Sequence, residues 1–81
     1  MFVRGQVVIS KAGRDKGYLM AVSDYDGTNV YVCDGKERRI KTPKKKNPCH
    51  IEITGLTIGE ERMRSDSALR KALAKIRSEI L

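Results

Sequence analysis

Turn residues divide the first 55 positions of this 81-residue chain into segments too short for a helix. Gly13 and Gly17, Asp26-Gly27, Asp34-Gly35, the prolines at 43 and 48, and Gly55 recur at intervals of roughly 8–12 residues, the spacing of a small all-β unit. No 3.6-residue period runs between them. The intervening segments are instead β-branched or alternating, as strands are. They predict strands over 5–9, 18–23, 29–33, 36–41 and 50–54. In the third, Val30 and Val32 alternate with Tyr31 and Cys33; in the fourth Ile40 faces inward; in the fifth Ile51 and Ile53 share a face. Asp34-Gly35 between two strand patterns is a tight hairpin signal. Residues 42–48 are expected to form a loop, because Pro43 and Pro48 have no N–H for a central ladder. Residues 1–4 read as a lead-in, with Phe2 and Val3 as candidate core.

The tail changes period. Leu69, Leu73, Ile76 and Ile80, with Ala72 beside them, recur at steps of four, three and four, which lines one helical face with apolar groups. Ser65 or Asp66 is a natural N-cap. The expected organisation is one domain: a mainly β, five-stranded SH3-like barrel over 1–55, a connector over 56–64, and an amphipathic helix over 65–81 packed on the barrel. An OB-type barrel is the alternative. A domain of this size buries only ~60–65% of its unfolded surface, which leaves no room for a large enclosed active site.

Charge is distributed unevenly. Residues 1–50 carry eleven Lys or Arg against five Asp or Glu, whereas residues 51–81 carry six against five. The formal +7 therefore belongs almost wholly to the strand-forming part, the electrostatic footprint of a polyanion binder. No apolar run approaches the ~20 residues of a membrane span, and no signal-peptide core follows Arg4. A cytoplasmic location is expected, with Cys33 and Cys49 as free thiols. Cys33, Cys49 and His50 lack metal-ligand spacing, so neither metal nor cofactor is implied. His50 has only Cys49 beside it, and neighbours on a strand point to opposite faces, which argues against an enzyme.

The most informative segment joins the first two strands. Val7-Val8-Ile9 leads into Ser10-Lys11-Ala12-Gly13-Arg14-Asp15-Lys16-Gly17, and Tyr18 to Val22 follows as a strand. Glycines allow positive φ and close approach of another backbone, so a tight basic loop of this kind can offer N–H groups and cations to a phosphate chain. The plainer reading is a turn whose charges keep it solvated. The segment resembles the KOW motif of ribosomal proteins and transcription elongation factors. With Val32-Cys33-Asp34-Gly35, residues 36–40 and the Pro43-Lys44-Lys45-Lys46 run before His50, the resemblance extends over about residues 4–54. It is to the branch of small KOW-domain RNA-binding proteins related to large-subunit ribosomal protein fourteen-e. Where many KOW copies carry a further glycine after the Lys-Gly pair, this chain has Met20.

The resemblance implies an SH3-like barrel and binding to ribosomal RNA, in or near the ribosome, with ribosomal proteins as further partners. Seven cations lie within residues 36–46, opposed only by Glu37. Lysines suit phosphate contact without base reading. The expected phosphate contacts are Lys11, Arg14, Lys16, Arg38, Arg39, Lys41, Lys44, Lys45 and Lys46, with Gly13 and Gly17 shaping the loop. Tyr18 is a candidate for stacking on an unpaired base, whereas Tyr31 reads as core. No membrane partner or small-molecule substrate is expected. The competing reading is a protein–protein interaction module that uses the barrel and the apolar helix face.

Overall fold

The structure, a computed structural model, describes residues 1–80. Strands β1 (Gln6–Ser10), β2 (Leu19–Tyr25), β3 (Val30–Cys33), β4 (Lys44–Lys46) and β5 (Ile51–Thr57) precede helix α1 (Asp66–Ile80). All five strands share one antiparallel sheet in the order β4-β3-β2-β1-β5. The first four follow one another as a meander, and β5 returns to pair with β1, Ser10 opposite Ile51.

Chain connectivity requires this sheet to curl. β4 and β5 are its two edges, yet Lys46 and Ile51 are joined by four residues, three of them in a 3₁₀ turn at Pro48–His50. A flat five-stranded sheet sets its edge strands about 19 Å apart. A 3₁₀ turn rises only about 2 Å per residue, so the connector falls short of that span. Two irregularities bend the strands accordingly: Ser23 is extra between Val22 and Asp24 in β2, and β5 shifts register between Ile53 and Thr57. Bulges of this kind increase local twist.

Strand alternation sorts the apolar residues into two cores. Val8, Met20, Val22, Val30 and Val32 meet on the concave face, edged by Phe2, Tyr25 and Ile51. Val7, Leu19, Ala21 and Cys33 face the other way, onto Ile58, Met63 and the Leu69, Ala72 and Leu73 side of α1. Residues 19–22 are thus buried on both faces of β2. A helix of 15 residues is marginal in water by itself. Burial of each large apolar side chain contributes about 1.5–3 kcal/mol, so docking against the sheet is what stabilises α1. Ser65 caps it, its Oγ accepting from the Ala68 N–H at 3.3 Å. Asp66, the other cap candidate, accepts instead from the Ile40 N–H at 2.8 Å.

Several expectations are corrected. Residues 36–41 form no strand. The Asp34 carboxylate accepts from the N–H groups of Lys36 and Arg38 at 2.8 and 2.9 Å, and the Asp34 and Gly35 N–H groups donate to the Arg38 carbonyl. These bonds close a local turn where a ladder was expected. The fourth strand is Lys44–Lys46, inside the segment read as a loop. The two prolines flank it, and its edge position requires only one paired side. β5 runs on past Gly55 to Thr57, and Ile53 is 49% exposed. Phe2 packs at the concave core, but Val3 is exposed. Ile40 does pack inward, against the helix-side core. Among the described residues, no helix is long and apolar enough to cross a membrane.

Candidate nucleic-acid interface

The loop from 11 to 18 is closed by its own backbone. The Gly17 N–H donates to the Ser10 carbonyl at 2.7 Å, the Tyr18 N–H to Asp15 at 2.9 Å, and the Lys16 N–H to Gly13 at 3.2 Å. Gly13 and Gly17 have φ of +85° and +87°, which only glycine adopts without strain. The N–H groups of residues 16 to 18 are therefore committed within the loop. Arg14 and Lys16 are exposed. Lys11 meets Glu52 at 2.9 Å, but with both side chains more than half exposed the pair contributes at most about 1 kcal/mol. A phosphate can displace it.

Under the loop lies a buried ion pair. Lys46 Nζ stands 2.8 Å from Asp15 Oδ1 and 2.8 Å from the Ala12 carbonyl, while Ser10 Oγ donates to the same Asp15 oxygen at 2.8 Å. Burial pushes the Asp15 carboxyl up, but the Lys46 and Ser10 hydrogen bonds and the neighbouring lysine charge outweigh it and hold the group below its ordinary value. Lys46 was expected among the phosphate contacts. Its buried ammonium instead ties edge strand β4 to the glycine loop, because residues 44 and 46 lie on the concave side, opposite Val32 and Val30. Asp15 Oδ2 is buried without a hydrogen-bond partner.

Three clefts run in series around this loop. One of about 280 Å³ is lined by Gly13, Lys44, Lys45 and His50 among others. A second, of about 400 Å³, lies between Arg14, Tyr18 and Arg38, with Met20 and the carboxylates of Asp15, Asp34 and Glu37. A third, of about 300 Å³, runs from Tyr18 to α1. The structure thus gathers Gly13, Arg14, Tyr18, Arg38, Lys44 and Lys45 around one loop. Arg39 and Lys41 are exposed in the neighbouring turn but line none of these clefts. Met20, at the position where many KOW copies have glycine, is wholly buried in the concave core. Tyr31 is half-buried, its hydroxyl donating to Asp26 Oδ2 at 3.0 Å.

The Asp15–Lys46 pair escaped sequence reading, since a lysine in a run of three carries no local mark of burial. The helix also adds Arg70 and Arg77 to the third cleft. Their seven-residue separation beside the apolar stripe was the available signal. In comparisons with known proteins, no family model and no curated protein matches the chain.

Proposed function

We propose that the protein binds RNA as a KOW-type module, an SH3-like barrel whose basic loops hold the phosphate backbone of a structured, ribosomal RNA. The observation that carries this reading is the meeting of the glycine loop with β4. Gly13 of the loop lines one cleft with Lys44 and Lys45 of β4, Arg14 and Lys16 are exposed on the same loop, and none of these four cations is in an ion pair among the described residues. A rim with several free cations and shallow clefts suits phosphate better than a small molecule, which calls for an enclosed apolar pocket. The strand order and the tight β4–β5 connection support the small-barrel reading.

The competing reading needs the apolar face of α1 free for another protein. Most of that face is already turned onto the sheet, with Leu69 and Leu73 buried and Ile76 packed beside them, and only Ile80 of the stripe is exposed. RNA therefore remains the better-supported partner, with ribosomal proteins as neighbours in such an assembly.

The test is affinity for a structured RNA as a function of salt. With about four to six phosphate contacts, log K should fall against log salt with a slope of roughly −3 to −5. Lys44→Gln with Lys45→Gln should make the slope shallower by about 1–2. Binding indifferent to salt, or no binding at all, removes the reading.

A further inference from the structure

We propose that the cleft between the glycine loop and α1 takes an unpaired nucleotide, its base stacked on Tyr18 and its phosphate held by Arg70 and Arg77. The inference rests on the RNA-binding reading above and deepens it: it assigns the helix a direct role and names single-stranded RNA as the ligand of this part of the surface.

Tyr18 is the observation that points there. The residue is 44% exposed and lines both of the larger clefts. The other two tyrosines anchor their hydroxyls, Tyr25 on the Gly27 carbonyl and Tyr31 on Asp26, whereas Tyr18 has no side-chain hydrogen bond among the described residues. Its backbone is held on both sides, the N–H by Asp15 and the carbonyl by the Ser10 N–H at 3.0 Å. A fixed backbone carrying a bare aromatic ring is a stacking platform, and a base gains most of its sequence-independent affinity by covering such a ring.

The surroundings match the rest of a nucleotide. Leu19, Leu73 and Ala74 give the cleft an apolar floor, and Lys36, Arg70 and Arg77 give it cations. Arg70 and Arg77 are seven residues apart, just under two turns, so they lie on one side of α1 about 10 Å from each other. Neither is in an ion pair among the described residues. Of the two carboxylates at the rim, Asp34 already accepts two backbone N–H groups, and Glu37 is exposed. An aromatic platform, an apolar floor and paired guanidinium groups are complementary to a flat base joined to a phosphate. A duplex hides its base faces in the stack, so only an unpaired nucleotide can use Tyr18.

The experiment measures binding of the full chain to a short unstructured oligoribonucleotide, to a blunt duplex and to a mononucleotide, by fluorescence anisotropy with competition. Tyr18→Phe should retain single-strand affinity. Tyr18→Leu should weaken it about tenfold or more. Arg70→Gln with Arg77→Gln should weaken it similarly and reduce the salt slope by about 1–2. Neither change should matter for the duplex. Competition by the mononucleotide assigns the cleft to a free nucleotide as well as to a strand; failure to compete while the oligomer binds assigns it to a strand alone. All these side chains are exposed, and a melting curve checks that each variant is folded. If Tyr18→Leu or the double arginine variant binds the single strand like the parent, while Lys44→Gln with Lys45→Gln loses RNA, the cleft is not the site and the RNA-binding reading stands. If the parent binds no RNA of any kind, both fall.

Discussion

The Asp15 carboxylate and the Lys46 ammonium stand 2.8 Å apart, their side chains 9% and 6% exposed. The contact locks the loop after β1 to the far edge of the sheet. Pairs of this kind contribute little net stability, because desolvation of two charges offsets most of their attraction. Here the offset is larger still, since Asp15 Oδ2 lacks a partner and a buried unsatisfied oxygen costs about 1–3 kcal/mol. The pair is better understood as a device that sets geometry.

Breaking it from one side should therefore be far worse than removing it whole. Lys46→Met leaves a buried carboxylate alone and is expected to cost about 3 kcal/mol. In a domain of this size that lowers the melting temperature by roughly 10–20 °C. Asp15→Leu with Lys46→Met should recover most of the loss. Thermal unfolding of the single and double variants decides the matter; a double variant as unstable as the single would mean that the ion pair itself holds the fold.

Acid should act on the same contact. The folded-state value for Asp15 lies below the ordinary carboxyl value of 3.8, so the ionised form is favoured by folding. Its stabilisation is fully present above that ordinary value and is lost as the pH falls through the folded value. Urea unfolding from neutral pH down to about 2 should show the parent losing stability below pH about 4. The Asp15→Leu, Lys46→Met double variant should lose less over the same range. Identical acid profiles for the two proteins would contradict the assignment.

Two glycines with positive φ should respond differently to alanine. Gly17, at +87°, has no atom within 4 Å of where a Cβ would sit, so only backbone strain opposes the change, about 1–2 kcal/mol. Gly35, at +78°, is buried, and its Cβ would collide with the Asp66 carbonyl in the first turn of α1. Gly35→Ala should thus cost at least twice as much and should loosen the helix. Chemical denaturation with far-ultraviolet circular dichroism measures both; equal losses would mean that the contact between this turn and α1 relaxes freely.

The two thiols should differ sharply in reactivity. Cys33 is fully buried, and burial pushes its pKa up to about 11, whereas Cys49 is exposed. Only a thiolate reacts readily, so one equivalent of an alkylating reagent should be taken up by the native protein, at Cys49. The second should react only on unfolding. Mass spectrometry of the labelled peptides reports the outcome, and rapid native labelling of Cys33 would show that the helix-side core opens.

Much of this architecture is local and was legible in the residues. The β-branched runs around Val7-Val8 and Val30 to Val32 mark strands, Gly13 and Gly17 mark the loop between the first two, and the Leu69, Leu73, Ile76 spacing marks the helix. Each of these signals is a period or a turn preference that a few neighbouring residues determine by themselves. The cationic rim was legible in the same way, as composition.

Other features depended on atoms distant in the chain. Residues 36–41 follow the Asp34-Gly35 hairpin signal and read as a strand with Ile40 inward, but the Asp34 and Asp66 carboxylates take their N–H groups, and the strand forms instead at Lys44–Lys46. Three consecutive lysines look alike in sequence; once they pair with β3, the pleat turns Lys46 inward to Asp15 and leaves Lys45 outside. Tyr18 is a stacking candidate from its place after Gly17; that Arg70 and Arg77 line its cleft follows from where the helix docks. Periodicity specifies which side of an element a residue occupies. The partner waiting on that side is decided by long-range packing, since burial and charge pairing depend on distances that local sequence does not encode.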